Sequence, residues 1–252
     1  MTDFLGLGAW ALAACFAGMI AGGTVKGVVG IGLPLVALPI IASFIPVPKA
    51  MALLLLSSFA TSVWQTFRGQ FFARSLRRLW PLLAGIFVGT WTSVALLAAM
   101  DVNVLYLILG AVVTAFASVL HRRLALPVAT RAESWLAPLF GVASGLVGGL
   151  TMLFGPVYVM YLSGLRLGKD GLVAAIALAN TWATIVLATA MARFDLIGSS
   201  DLAASLVALA PAFTGLVLGT WLRQRIDEIA FRKTLAVVLF LIALNLIRKG
   251  LM

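Results

Sequence analysis

Acidic residues are scarce in this chain. Eight Asp and Glu stand against eighteen Lys and Arg in 252 residues, and charge of either sign makes up only 10% of the sequence. A soluble domain carries about 25% charge, so a water-facing globule is excluded. A single cysteine, Cys15, rules out an internal disulfide and a thiolate metal cluster. A single histidine, His121, at the edge of a basic stretch, leaves no metal-ligating set and no nucleophile–base arrangement. No cofactor, no metal and no enzyme activity are therefore expected. The box "LAAC" at 12–15 looks like a lipoprotein cleavage site, but no Lys or Arg precedes it and the apolar run continues beyond it. The segment reads as a retained helix.

What is present is apolar: 63% of the residues are hydrophobic. Long apolar runs fall near 4–22, 27–45, 50–67, 79–99, 103–120, 135–149, 151–165, 171–192, 202–222 and 231–247. They are separated by short polar breaks such as "PVPK", "RGQFFARSLRR", "DVN" and "RQRIDEIAFRK". All eight acids lie at or beside the breaks or near the N-terminus, as they should when a carboxylate at bilayer depth costs about 2.5–3.5 kcal/mol. The expected class is an all-α polytopic membrane protein with the lipid bilayer as its main partner and no nucleic acid. If the runs alternate in direction, 14 of the 18 basic residues (Lys26 included) share one side, and only Lys49, Arg193, Arg248 and Lys249 fall on the other. The basic side is read as cytoplasmic, which places both termini on the periplasmic side of a bacterial inner membrane. Trp80, Trp135 and Trp221, near run ends, read as interfacial anchors.

The chain repeats itself. "PLLAGIFVGTW" at 81–91 matches "PAFTGLVLGTW" at 211–221, and Gly23, Gly27 and Pro34 match Gly145, Gly149 and Pro156 in the same order. The repeats are set at 1–125 and 126–252, about five helical segments each. An odd number of segments inverts the second copy, an architecture of secondary transporters.

Each copy opens on a glycine-rich join: "GMIAGGTVKGVVGIGLP" at 18–34 and "GVASGLVGGLTMLFGP" at 141–156. Two readings compete. Four-residue glycine spacing marks close helix packing, and for Gly85/Gly89 and Gly215/Gly219 packing is expected. For the clusters holding Gly22, Gly23, Gly30, Gly32, Gly145, Gly148 and Gly155, a broken or re-entrant hairpin is expected, because clustered glycine and a following proline weaken a helix. Lys26 lies inside the first cluster. Either its ammonium holds an anion deep in the membrane beside glycine N–H groups, or it snorkels from a cytoplasmic turn. Polar side chains that would complete an anion site are Thr24, Ser58, Thr61, Thr151, Asn180 and Thr184, with backbone from Gly27 and Gly149. Hydroxyl and amide groups hold oxyanions, though interhelical hydrogen bonding uses the same residues.

The glycine-rich join opening each half, the "PVP" turn at 46–48 before a Ser/Thr-bearing helix and the repeated Gly-Thr-Trp resemble the sulfite exporter TauE/SafE family of anion permeases. The resemblance runs over nearly the whole chain. It implies an inner-membrane secondary transporter exporting a small sulfur-containing anion, sulfite or an organosulfonate such as sulfoacetate, by alternating access. Lys26 matches no common pattern of that family and is a candidate for subfamily specificity. An uptake carrier or a channel for another small inorganic or organic anion is the alternative. With no carboxylate inside the apolar runs to relay a proton or sodium ion, uniport is favoured over symport. A homodimer is compatible with the sequence.

Overall fold

The computed structural model describes residues 8–67, 72–122, 133–165, 167–223, 225 and 228–251. Arg68, Arg123, Arg131, Arg166 and Asp227, which help to define the polar breaks and their charge, lie outside the described residues, as do the side chains of Arg74 and His121.

Eleven helices and no strands are seen among the described residues: α1 (Ala9–Val29), α2 (Leu33–Ala42), α3 (Val47–Phe67), α4 (Phe72–Ala99), α5 (Val102–Arg122), α6 (Glu133–Thr151), α7 (Gly155–Ser163), α8 (Gly168–Arg193), α9 (Ser199–Val207), α10 (Leu209–Leu222) and α11 (Glu228–Gly250). Among the described residues, six stretches are long and apolar enough to cross a membrane: Ala9–Val29, Val47–Thr66, Leu76–Ala99, Glu133–Thr151, Gly171–Arg193 and Ser200–Leu222. At 10 and 9 residues, α2 and α7 fall well short of the roughly 20 that a span needs.

Two sequence expectations move. The first helix does not stop near residue 22 but runs on to Val29 through the consecutive glycines, because a packed neighbour outweighs a weak intrinsic propensity. The run at 202–222 is split at Ala208 into α9 and α10. Pro211 explains the split: without an N–H it leaves the carbonyl of Val207 no donor four residues on.

The helices gather into two compact units. Unit 1 holds residues 1–57, 100–122 and 195–252; unit 2 holds 58–99 and 123–194. This division differs from the repeat boundary near residue 125, since each unit draws helices from both halves of the chain.

In unit 1, α1 packs on α10 and α2, α5 packs on α11, and α2 also touches α5 and α11. Leu33, Leu38, Ile41, Met51 and Leu54 are fully buried there. In unit 2, α4 packs on α6 and α8, and α7 touches both α6 and α8. Its core includes Leu79, Leu82, Ile86, Tyr158 and Tyr161. Trp80, Trp135 and Trp221 are largely exposed.

Candidate functional site

The first glycine-rich join lies in unit 1. Gly22, Gly23, Lys26 and Gly27 all belong to α1. Gly30 ends that helix in the left-handed conformation, φ +88°, its N–H donating to the Lys26 carbonyl at 2.8 Å. Gly32, φ +129°, turns the chain into α2, whose first residues are Leu33 and Pro34. A side chain at Gly32 would also meet Val25 Cγ1 at 2.6 Å. The break is thus three residues, 30–32, at the far edge of the cluster.

The other glycines of α1 face neighbouring helices. Gly18 lies against Ile40 and Gly22 against the Leu33 carbonyl and Ala37, both on α2. Gly23 and Gly27 lie against the Ala212 and Leu216 carbonyls of α10, while Gly215 and Gly219 meet the Ile20 and Thr24 carbonyls in return. Gly27 is therefore a packing glycine. The Thr24 hydroxyl donates to its own helix, to the Ile20 carbonyl at 2.8 Å.

Lys26 is fully buried. It sits within a helix, not in a turn. It stands in the last turn of α1, where the negative end of the helix dipole favours a cation.

The second join lies in unit 2 and is built differently. α6 stays helical through Gly145, Gly148, Gly149 and Thr151. Met152 takes the left-handed position, φ +58°, its N–H donating to the Gly148 carbonyl at 2.6 Å. A non-glycine residue there is strained. The Thr151 hydroxyl donates to the Val147 carbonyl at 2.7 Å and accepts the Leu153 N–H at 3.3 Å. The Ser144 hydroxyl, fully buried, donates to the Phe154 carbonyl at 2.8 Å. The Phe154 ring covers Gly148 so closely that a Cβ there would run into it. Gly155 and Pro156 then begin α7. Gly149, like Gly27, is a packing glycine: a Cβ would strike the Ser93 hydroxyl of α4. That hydroxyl is 3.1 Å from both the Thr90 and Gly145 carbonyls.

These contacts correct the internal register. Gly141 and Gly145 meet the Leu82 and Ile86 carbonyls of α4 as Gly23 and Gly27 meet those of Ala212 and Leu216. Counted by packing, the repeats are 118 residues apart (23 to 141, 27 to 145). Counted from the breaks, they are 122 apart (30 to 152, 34 to 156). The four-residue difference is one extra helical turn at the end of α6. Measured from the packing glycines Lys26 corresponds to Ser144, and measured from the break it corresponds to Gly148. In unit 1 the glycine of the break, Gly32, meets the Val25 side chain of the helix. Unit 2 pairs a glycine on the helix, Gly148, with a large side chain in the break, Phe154.

The remaining candidates are in unit 2. Ser58, Thr61, Ser62 and Thr66 are buried along α3. Ser62 donates to the Ser58 carbonyl at 2.6 Å, Thr66 to the Ser62 carbonyl at 2.9 Å and Thr61 to the Ser58 carbonyl at 3.2 Å. Thr66 meets Thr181 of α8 at 3.1 Å, hydroxyl to hydroxyl. Thr184 is buried and donates to the Asn180 carbonyl at 2.7 Å. Such back-bonding satisfies each hydroxyl proton while leaving oxygen lone pairs on the helix surface. Ser144, Met152 and Phe154 were not anticipated from sequence. Nor were the Tyr158 hydroxyl, the Thr90 hydroxyl and the Trp91 indole N–H, which are buried with no hydrogen-bond partner among the described residues.

Unit 1 thus carries a buried lysine one turn before a glycine-bounded break, and unit 2 carries buried hydroxyls along α3 and α8. Among the described residues no group of His, Cys, Asp and Glu is placed to hold a metal. No curated protein and no solved structure matches the chain. The sulfite exporter TauE/SafE family matches residues 14–246. With six stretches among the described residues long and apolar enough to cross a membrane, this is a multi-pass membrane protein of a transporter family. The chain belongs to the sulfite exporter TauE/SafE family.

Proposed function

We propose that this protein exports a small sulfur-containing anion, sulfite or an organosulfonate such as sulfoacetate, across the bacterial inner membrane by alternating access, with Lys26 as the group that recognises negative charge. The observation that carries the reading is the complete burial of Lys26 one turn before the Gly30–Gly32 break. An ionisable side chain in a membrane-spanning helix is costly and marks a substrate or ion pathway. Ser58, Thr61, Thr151 and Thr184, with Asn180, are the polar groups assigned to the anion's path; Thr61, Thr151 and Thr184 donate to carbonyls of their own helices and would turn their protons to the anion as it passes. Gly27 and Gly149 act through helix packing rather than by touching the anion.

In this reading the two repeats are inverted, both termini are periplasmic, and α2 and α7 are re-entrant half-helices. The internal repeat, the short lengths of α2 and α7 and the distribution of basic residues support it. Export runs down the electrical gradient, which contributes about 2.3 kcal/mol per charge per 100 mV.

The test is reconstitution in proteoliposomes with electrical recording across sulfite, sulfonates, carboxylates and sulfate. Sulfite or a sulfonate should give saturable currents, and Lys26→Met should abolish them while leaving insertion and thermal unfolding in detergent intact. Unchanged sulfite flux in the inserted Lys26→Met protein overturns the role given to Lys26. Currents for carboxylates alone overturn the substrate class.

A further inference from the structure

Lys249, near the end of α11, is one of only four basic residues on the side read as periplasmic, so its position asks for a reason. Its ammonium donates to the carbonyls of Ala42 at 3.1 Å and Ser43 at 3.2 Å, and to the Tyr106 hydroxyl at 2.9 Å. It also lies 4.4 Å from the centroid of the Tyr106 ring. Three acceptors match the three donors of an ammonium, so Lys249 is not a stopping point for a passing anion.

The acceptors are the end of α2. Tyr106, buried on α5, extends the same grip by donating to the Ile45 carbonyl at 3.4 Å. The Asn245 amide donates to the Ser43 hydroxyl at 3.4 Å, and that hydroxyl donates to the Pro39 carbonyl at 3.0 Å. The support behind these side chains is close-packed: a Cβ at Gly110 of α5 would meet Ile247 of α11 at 2.7 Å, and one at Gly250 would meet the Asn103 carbonyl at 2.8 Å.

The opposite end of α2 has no such fastening. Its N-cap, Gly32, makes no side-chain cap and is itself the second positive-φ glycine of the break, after Gly30. A helix of ten residues is marginal on its own, and a cation on its last carbonyls both completes their hydrogen bonding and meets the dipole. α2 lies along the Gly18 and Gly22 face of α1, with Gly32 touching Val25, the neighbour of Lys26.

We infer that Lys249 is a positioning residue: it pins the C-terminal end of α2 to α5 and α11 and so fixes the Gly30–Gly32 break beside the turn that carries Lys26. The inference about transport rests on the proposed role of Lys26; the inference about α2 does not.

Two measurements on the full-length protein keep these apart. Hydrogen–deuterium exchange over residues 33–45 reads the pinning directly, and saturation of sulfite flux in proteoliposomes reads its effect on recognition. Lys249→Met should speed exchange at 33–45 but not in α4 or α6. It should raise the half-saturating sulfite concentration about tenfold with little change in maximal rate, the scale of a hydrogen bond to a charged group. Lys249→Arg, able to donate to both carbonyls, should recover most of both. Tyr106→Phe, which keeps the lysine and removes one acceptor, should give the same changes on a smaller scale and serves if Lys249→Met does not insert. Unchanged exchange at 33–45 in the methionine and phenylalanine variants overturns the pinning. Faster exchange with an unaltered sulfite half-saturation overturns the link to recognition. Faster exchange in a protein that carries no sulfite at all supports the pinning and counts against the substrate reading instead.

Discussion

The join between α1 and α2 and the join between α6 and α7 are made from the same parts and finish differently. Each begins on a helix packed by glycine against glycine, ends that helix with a left-handed residue and starts a short helix on a proline. In unit 1 the left-handed residue is glycine, the helix carries a buried cation and the break is Gly30, Ile31 and Gly32. In unit 2 the left-handed residue is Met152, the helix presents Gly148 and the break fills the space with Phe154, while Ser144 and Thr151 satisfy the local backbone. Unit 2 has closed its join with its own side chains. Unit 1 has put a charge there.

The contrast can be broken most severely at its charged member. Lys26→Met should abolish anion flux, whereas Ser144→Ala, at the position matched through packing, should leave flux in place. The latter should lower stability by about 1–3 kcal/mol, the cost of leaving the buried Phe154 carbonyl without its donor, read as thermal unfolding in detergent. Equal loss of flux in both would erase the distinction between the joins.

A smaller effect is expected where the Phe154 ring covers Gly148. Gly148→Ala drives a methyl into the Phe154 ring and should cost about 1–3 kcal/mol as overpacking. In a Phe154→Ala background the same substitution should cost much less, giving a coupling of about 0.5–3 kcal/mol in a double-mutant cycle. Strict additivity would mean that the ring and the glycine are not partners.

Next comes the left-handed cap. Gly30→Ala should lose about 1–2 kcal/mol, the steric cost of that conformation for a residue with a Cβ. Met152→Ala, already left-handed, pays no such conformational cost and should lose only the burial of its side chain. A Gly30→Ala protein as stable as the parent would show that the left-handed position carries no steric cost there. The smallest effect belongs to the ion pair joining α4 to α6 in unit 2. Arg78 donates from Nε at 2.6 Å and from its terminal nitrogen at 2.9 Å to the two oxygens of Glu133. With the Arg78 side chain 41% exposed, Arg78→Gln should cost no more than about 1 kcal/mol and less in high salt.

The helical, membrane-crossing character of this chain was written in its apolar runs, because length and hydropathy alone settle what a bilayer accepts. The packing of Gly85, Gly89, Gly215 and Gly219 was legible too, from their spacing within otherwise uninterrupted helices. The clusters were harder. A glycine that faces a neighbouring carbonyl and a glycine that opens a turn look alike in sequence, so the close helix packing at Gly27 and Gly149, read as backbone for an anion, was not legible. The break was placed too broadly for the same reason, and the internal register was set by prolines and glycines that do not share one offset. Lys26 stood out as a charge among apolar residues. Lys249 did not, since a basic residue at a chain's end looks like any other terminal lysine until its three acceptors are seen.

The extra turn of α6 shows how two helices packed by glycines in the same way can differ in length. Adding one residue to a packed helix swings everything beyond it by about 100°, and adding two by about 200°. Either would take the residues beyond the insertion off the face on which they packed. Four residues bring the face back to within about 40° while lengthening the axis by about 6 Å. A copied segment gripped by glycines can therefore change length only by whole turns, and each such step shifts the downstream residues along the helix while keeping their direction. Length differences between the two joins are in this sense quantised, and an alignment of the two halves should allow gaps of three or four residues at the helix ends rather than of any size.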